Sequence, residues 1–116
     1  MKVFYHHVYE YKKGIRRLIL HTTLKIHRSQ IEETLQKKEI NYLICRVGKN
    51  KINVFFGDSA CIKVIRNFQK QNLYDLTDEE DFILGIMLGY DTSMQCHRYL
   101  KRKDQTNIKH RQELAA

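Results

Sequence analysis

G-D-S-A-C at positions 57–61 places an acid, a hydroxyl and a thiol where an alternating apolar run gives way to a helical stripe. Backbone amides at a helix start attract anions, and the helix dipole lowers the pKa of a thiol placed there. A nucleophile elbow takes the form G-x-S-x-G because glycines relieve the crowding of its strained turn. Here Asp58 precedes the serine and Cys61 stands where the second glycine belongs. The segment therefore reads as structure: Asp58 as a helix N-cap and Cys61 as a core residue.

The other reactive side chains are more scattered. His6, His7, His21, His27, His97 and His110 include no pair four residues apart, the spacing that aims two imidazoles of one helix at one metal ion. A metal site would have to be assembled by folding, from His21, Cys96 and His97. Cys45, Cys61 and Cys96 have no C-x-x-C spacing and form an odd set, so they read as free thiols rather than as a disulfide framework or a zinc ribbon. The densest acids, Asp78 to Asp81, are accounted for by a helix start, and no glycine-rich phosphate loop is present. No catalytic set, metal or cofactor is expected.

Positive charge is the stronger signal. The chain carries a formal +8, and from Arg98 onward six basic residues face two acidic ones, which puts half of the surplus in the last nineteen positions. Arg98, Lys101, Arg102 and Lys103 share one short helical segment, with Lys109, His110 and Arg111 beyond it. Long-range attraction from such a segment favours acidic partners. These four side chains are the expected docking site for an acidic protein. Nucleic acid is the alternative, with affinity falling against salt at a slope of about −3.6 if four phosphates are neutralised. Against it, the G-x-x-G loop of KH-type RNA binders is absent and the hairpin strands lack the aromatic ribonucleoprotein pattern, although Phe55 and Phe56 stand in one of them.

These residues need elements to hold them. Phe4, Val8, Tyr11 and Ile15 recur at helical spacing, with Gly14 as the stop. The same stretch also alternates as a strand would. R-L-I-L-H-T-T-L at 17–24 alternates as a strand, with Leu18, Leu20, Thr22 and Leu24 on one face. Ser29 and Glu32 predict a capping box opening a helix over about 30–39, with Ile31 and Leu35 inward. N-Y-L-I-C-R-V and K-I-N-V-F-F flank G-K-N and predict a hairpin. Cys61, Val64, Ile65 and Phe68 then form a helical stripe. Thr77 with Glu80 makes a second capping box, after which Phe82, Ile83, Ile86 and Met87 are the expected apolar face. Gly85 permits close packing, Gly89 stops that helix, and Asp91 caps a last helix packed through Met94, Tyr99 and Leu100.

The expected fold is therefore α+β: a small three-stranded sheet with a β-hairpin, covered by about five helices. Its length of 116 residues suits one domain, assigned to residues 1–103, with 104–116 as a basic polar C-terminal tail. With 42% hydrophobic and 29% charged residues, the composition is that of a globular chain rather than a disordered one. No apolar run approaches the roughly 18 residues that cross a bilayer, and V-F-Y-H-H-V-Y-E-Y near the N-terminus is too polar for a signal peptide. No membrane association and a cytoplasmic location are expected.

L-H-T-T at 20–23, the hairpin, L-G-Y-D at 88–91 and Q-C-H-R-Y-L at 95–100 together resemble a bacterial family of about this length that is known only as a domain of unknown function. The likeness covers nearly the whole chain. It implies three strands, about five helices and a homodimer, brings no catalytic residues with it, and suggests an acidic flavodoxin-like redox protein as partner. The combined expectation is a non-catalytic, homodimeric protein-interaction module that docks an acidic partner through Arg98, Lys101, Arg102 and Lys103.

Overall fold

The computed structural model describes residues 1–115, and the fold is α+β. Its elements follow the order α1 (Lys2–Lys12), β1 (Leu18–Leu24), α2 (Arg28–Lys37), β2 (Asn41–Val47), β3 (Lys51–Gly57), α3 (Ser59–Asn67), α4 (Asp78–Met87) and α5 (Thr92–Ala115). Single 3₁₀ turns at Lys25–His27 and Leu73–Asp75 lead into α2 and α4.

The sheet order is β1-β3-β2, with both pairings antiparallel. β1 and β2 thus run the same way on either side of β3, joined by the crossover through α2. The last strand of the hairpin is the central one, and Ile52–Gly57 are all buried. Alternation along β3 explains why it needs helices on both faces. Ile52, Val54 and Phe56 join Ile19 against Phe4 and Val8 of α1 and Ile31 and Leu35 of α2. Phe55 joins Leu18 on the other face against Ile62 and Ile65 of α3 and Leu84 and Leu88 of α4. Each such side chain contributes about 1.5–3 kcal/mol by leaving water.

Gly57 closes the sheet where backbones come close. Asp58 N–H donates to the Arg17 carbonyl at 2.9 Å, and with φ at +151° a Cβ on residue 57 would overlap that carbonyl. The glycine of G-D-S-A-C is therefore there for backbone packing.

Several sequence expectations hold at the atomic level. Thr77 and Glu80 form the capping box, Asp91 accepts the Met94 amide at 2.8 Å, and Gly14 and Gly89 adopt positive φ at the ends of α1 and α4. Others are corrected. Ser29 is inside α2 rather than at its N-cap, because the preceding 3₁₀ turn leaves His27 in helical conformation, where a side chain cannot cap. Ile15 lies beyond α1 and is 64% exposed.

The buried face of α4 is Leu84, Gly85 and Leu88, while Ile83 and Ile86 face outward. Met94 and Leu100, expected to pack α5, are 69% and 62% exposed. α5 has no buried residue at all, and it continues through residues 104–115 of the expected tail. Ala116 lies outside the described residues.

Candidate functional site

The basic segment is set by one local event at the start of α4. The Thr77 hydroxyl accepts the Glu80 amide at 3.1 Å while the Glu80 carboxylate accepts the Thr77 amide at 2.9 Å. This fixes four carboxylates, residues 78–81, around the positive end of the helix dipole. Gly85, one turn further on, leaves room for the Gln95 side chain and so lets α5 lie against α4.

The cations of α5 then meet these acids. Arg98 grips Asp81 with two parallel bonds, Nε to Oδ2 at 2.9 Å and Nη2 to Oδ1 at 3.0 Å. One turn on, Arg102 reaches Asp81 Oδ1 through Nη1 at 2.7 Å, Asp78 Oδ1 through Nε at 3.2 Å, and the Leu76 carbonyl through Nη2 at 3.4 Å. Thr106 completes the row by donating to Asp78 Oδ2 at 2.8 Å. On the flank, Glu79 accepts from the Tyr99 hydroxyl at 2.7 Å and pairs with Lys103 at 3.1 Å.

Titration follows this geometry. The bond from Arg98 holds the Asp81 carboxyl below its ordinary range, and those from Tyr99 and Lys103 do the same to Glu79. Hydrogen bonding to Asp81 raises Arg98, while Glu79 raises both Tyr99 and Lys103. Bidentate arginine–carboxylate pairs are the strong form of such contacts, although exposure to water limits each to a fraction of its nominal worth.

Of the four residues expected to dock a partner, Arg98, Arg102 and Lys103 are thus engaged within the chain. Lys101 is exposed and has no carboxylate within ion-pair distance among the described residues. The sequence showed where the cations and acids lie. It did not show that they face each other, since 17 to 24 residues separate the partners.

Unmatched positive charge gathers elsewhere. The strand register brings Lys25, Arg46, Lys49 and Lys51 to the hairpin end of the sheet, where Lys25 N–H donates to the Asn50 carbonyl at 2.8 Å and Lys51 lies opposite both Leu24 and Val47. All four are exposed, and none forms an ion pair among the described residues. Sequence inspection missed this cluster because its members sit on three strand ends. A charge count along the chain cannot see it; a hairpin with its register drawn could have.

The remaining reactive groups do not converge. His21 packs edge-on to His7 at 5.6 Å and beside Phe4 on the α1 side of the sheet, where burial and then His7 push its pKa down. Cys61 belongs to the opposite face, and burial followed by Asp58 raises its pKa, the wrong direction for a nucleophile. Asp58 occupies the N-cap position of α3 with no side-chain bond to the helix. Its carboxylate accepts the Tyr11 hydroxyl at 2.9 Å and lies 3.9 Å from Arg17. No group of three or more metal-binding side chains forms among the described residues, so His21, Cys96 and His97 do not assemble a metal site.

No helix of the described residues is long and apolar enough to cross a membrane. No curated protein matches the chain. A family model described as a protein of unknown function, DUF2023, matches residues 2–102, and the chain belongs to that family, as its L-G-Y-D and Q-C-H-R-Y-L segments suggested.

Proposed function

We propose that the protein is a non-catalytic interaction module that docks an acidic protein partner and works as a homodimer. The observation that carries the reading is the mismatch in how its charges are used. The acids of α4 are taken up by Arg98, Arg102 and Lys103, with Lys70 on Glu80 at 3.1 Å, so the surplus falls on other cations, of which Lys25, Arg46, Lys49 and Lys51 gather at one end of the sheet while Lys101 stays unpaired on α5. Unpaired surface cations accelerate encounter with an acidic surface and impose salt sensitivity on binding. Arg98, Arg102 and Lys103 serve first to anchor α5, and with Lys101 they add to the positive field that draws the partner in.

The dimer reading is supported by a groove along α4 and α5. Phe82, Ile83, Cys96, Tyr99 and Leu100 line it, and a second copy would cover apolar surface that this chain leaves in water. Sedimentation tests this directly. The native protein is expected as a dimer, and Ile83→Glu with Leu100→Glu as a folded monomer; a native monomer at micromolar concentration would contradict it.

The same cations also attract nucleic acid, the second reading. It is weakened by Phe55 and Phe56, which are 1% and 0% exposed on opposite faces of the sheet and present no ring to a base. Titrations of an acidic flavodoxin and of single- and double-stranded RNA and DNA separate the two. Binding of the flavodoxin at about 50 mM salt that weakens at about 200 mM is expected. Binding of nucleic acid alone would replace the proposal with its alternative.

A further inference from the structure

We infer that β2 is a docking edge, to which an acidic segment of the partner adds as a fourth, extended strand. The inference rests on the interaction-module reading and specifies where the partner sits and in what form. β2 is an edge strand, and the register fixes which of its backbone groups are free. Asp58 N–H donates to the Arg17 carbonyl and Lys25 N–H to the Asn50 carbonyl, so even-numbered residues at β3 and its ends bond toward β1. The odd-numbered residues of β3 therefore bond toward β2, through Leu43, Cys45 and Val47.

Tyr42, Ile44 and Arg46 consequently turn their N–H and C=O groups outward. Among the described residues only the Tyr42 carbonyl has a partner, the Arg66 guanidinium at 3.5 Å. Such a row is a template for strand pairing, and β2 has neither the proline nor the dense lysines that usually blunt one. The start of β1, the opposite edge, is less available: Leu18 is fully buried, and Leu20 lines a cleft with Leu73 and Leu76.

Side-chain space flanks the free edge on both faces. One shallow groove runs by Cys45, Ile65 and Gln69, the other by Ile40, Tyr42 and Arg28, so alternate side chains of an added strand would meet different walls. The charge of this rim selects the occupant. Arg46 and Arg66 are exposed without a carboxylate partner, and the one acid lining either groove, Glu32, is 3.4 Å from Arg28. An extended acidic segment satisfies both features, since its amides match the edge and its carboxylates match the arginines. Nucleic acid supplies the charge without the amides. A second copy of this chain supplies the amides but brings Arg46 and Arg66 against themselves.

The test uses the full chain and a peptide of alternating Glu and Val long enough to span the seven residues of β2. Hydrogen exchange should slow at the amides of Tyr42, Ile44 and Arg46 when the peptide binds. Ile44→Pro, which removes an outward N–H, should weaken binding by more than about tenfold. Arg46→Glu with Arg66→Glu should also weaken it about tenfold, and these surface changes keep the test decisive if the proline variant fails to fold. Unchanged affinity in the double variant, protection mapped to another element, or protection that appears with protein concentration and no peptide would each overturn the inference. If both edge variants bind an acidic flavodoxin as the native protein does, strand addition fails and the wider reading stands. If the native protein binds neither peptide nor flavodoxin at low salt, both fail.

Discussion

At the scale of single residues, what could be read from the sequence depended on how far a side chain reaches along the chain. Thr77 and Glu80 bond across three positions, so their capping box was legible, as was the Asp91 cap. Asp58 looked like a cap as well, but its carboxylate is claimed by Tyr11, 47 positions away, and no local pattern encodes that. Ser29 misled for a different reason: the 3₁₀ turn before it moved the helix start upstream. Gly57 carries a prediction at this scale. Because its φ is +151° and a Cβ would overlap the Arg17 carbonyl, Gly57→Ala should lower stability by about 2–3 kcal/mol, from strain and from displacement of β1. Denaturant unfolding measures this, and a variant within about 0.5 kcal/mol of the native protein would show that the sheet yields there at little cost.

At the scale of elements, contrast decided legibility. Strands and hairpin alternate cleanly and were placed nearly to the residue, whereas α4 is apolar almost all round. Phe82, Ile83 and Ile86 therefore competed as its inner face with Leu84 and Leu88, which are the residues that bury, while the expected Met87 does pack, partly buried, against the same core. α5 was misjudged in part because much of its attachment is ionic: of its expected packing residues Tyr99 meets Phe82 at 5.4 Å, but Met94 and Leu100 stay exposed while Arg98, Arg102 and Lys103 hold on. That attachment has a pH signature. Hydrogen bonds from Arg98 to Asp81, from Tyr99 to Glu79 and from the Thr77 amide to Glu80 depress all three carboxyls. A depressed carboxylate contributes fully above its unfolded pKa of about 4 and loses that contribution as pH falls through the lower folded value. α5 should therefore lose hydrogen-exchange protection below about pH 4 while the amides of β3 keep theirs. Equal protection of α5 at pH 6 and pH 3 would show that something other than these pairs holds it.

At the scale of the whole molecule, folding redistributes a charge that the sequence could only count. The excess on the last helix looked available because its acidic counterparts precede it by about twenty positions. The chain instead spends Arg98, Arg102 and Lys103 on its own α4 and exposes other cations where three strand ends meet. The central claim is that this hairpin end and the adjoining edge receive an acidic protein. Equilibrium binding of an acidic flavodoxin at about 50 mM salt, to the native protein and to a variant with Lys25, Arg46, Lys49 and Lys51 all changed to Glu, tests it most directly. The account predicts a folded variant whose affinity falls by at least about a hundredfold, through lost attraction and added repulsion. A folded variant that binds as tightly as the native protein would contradict it.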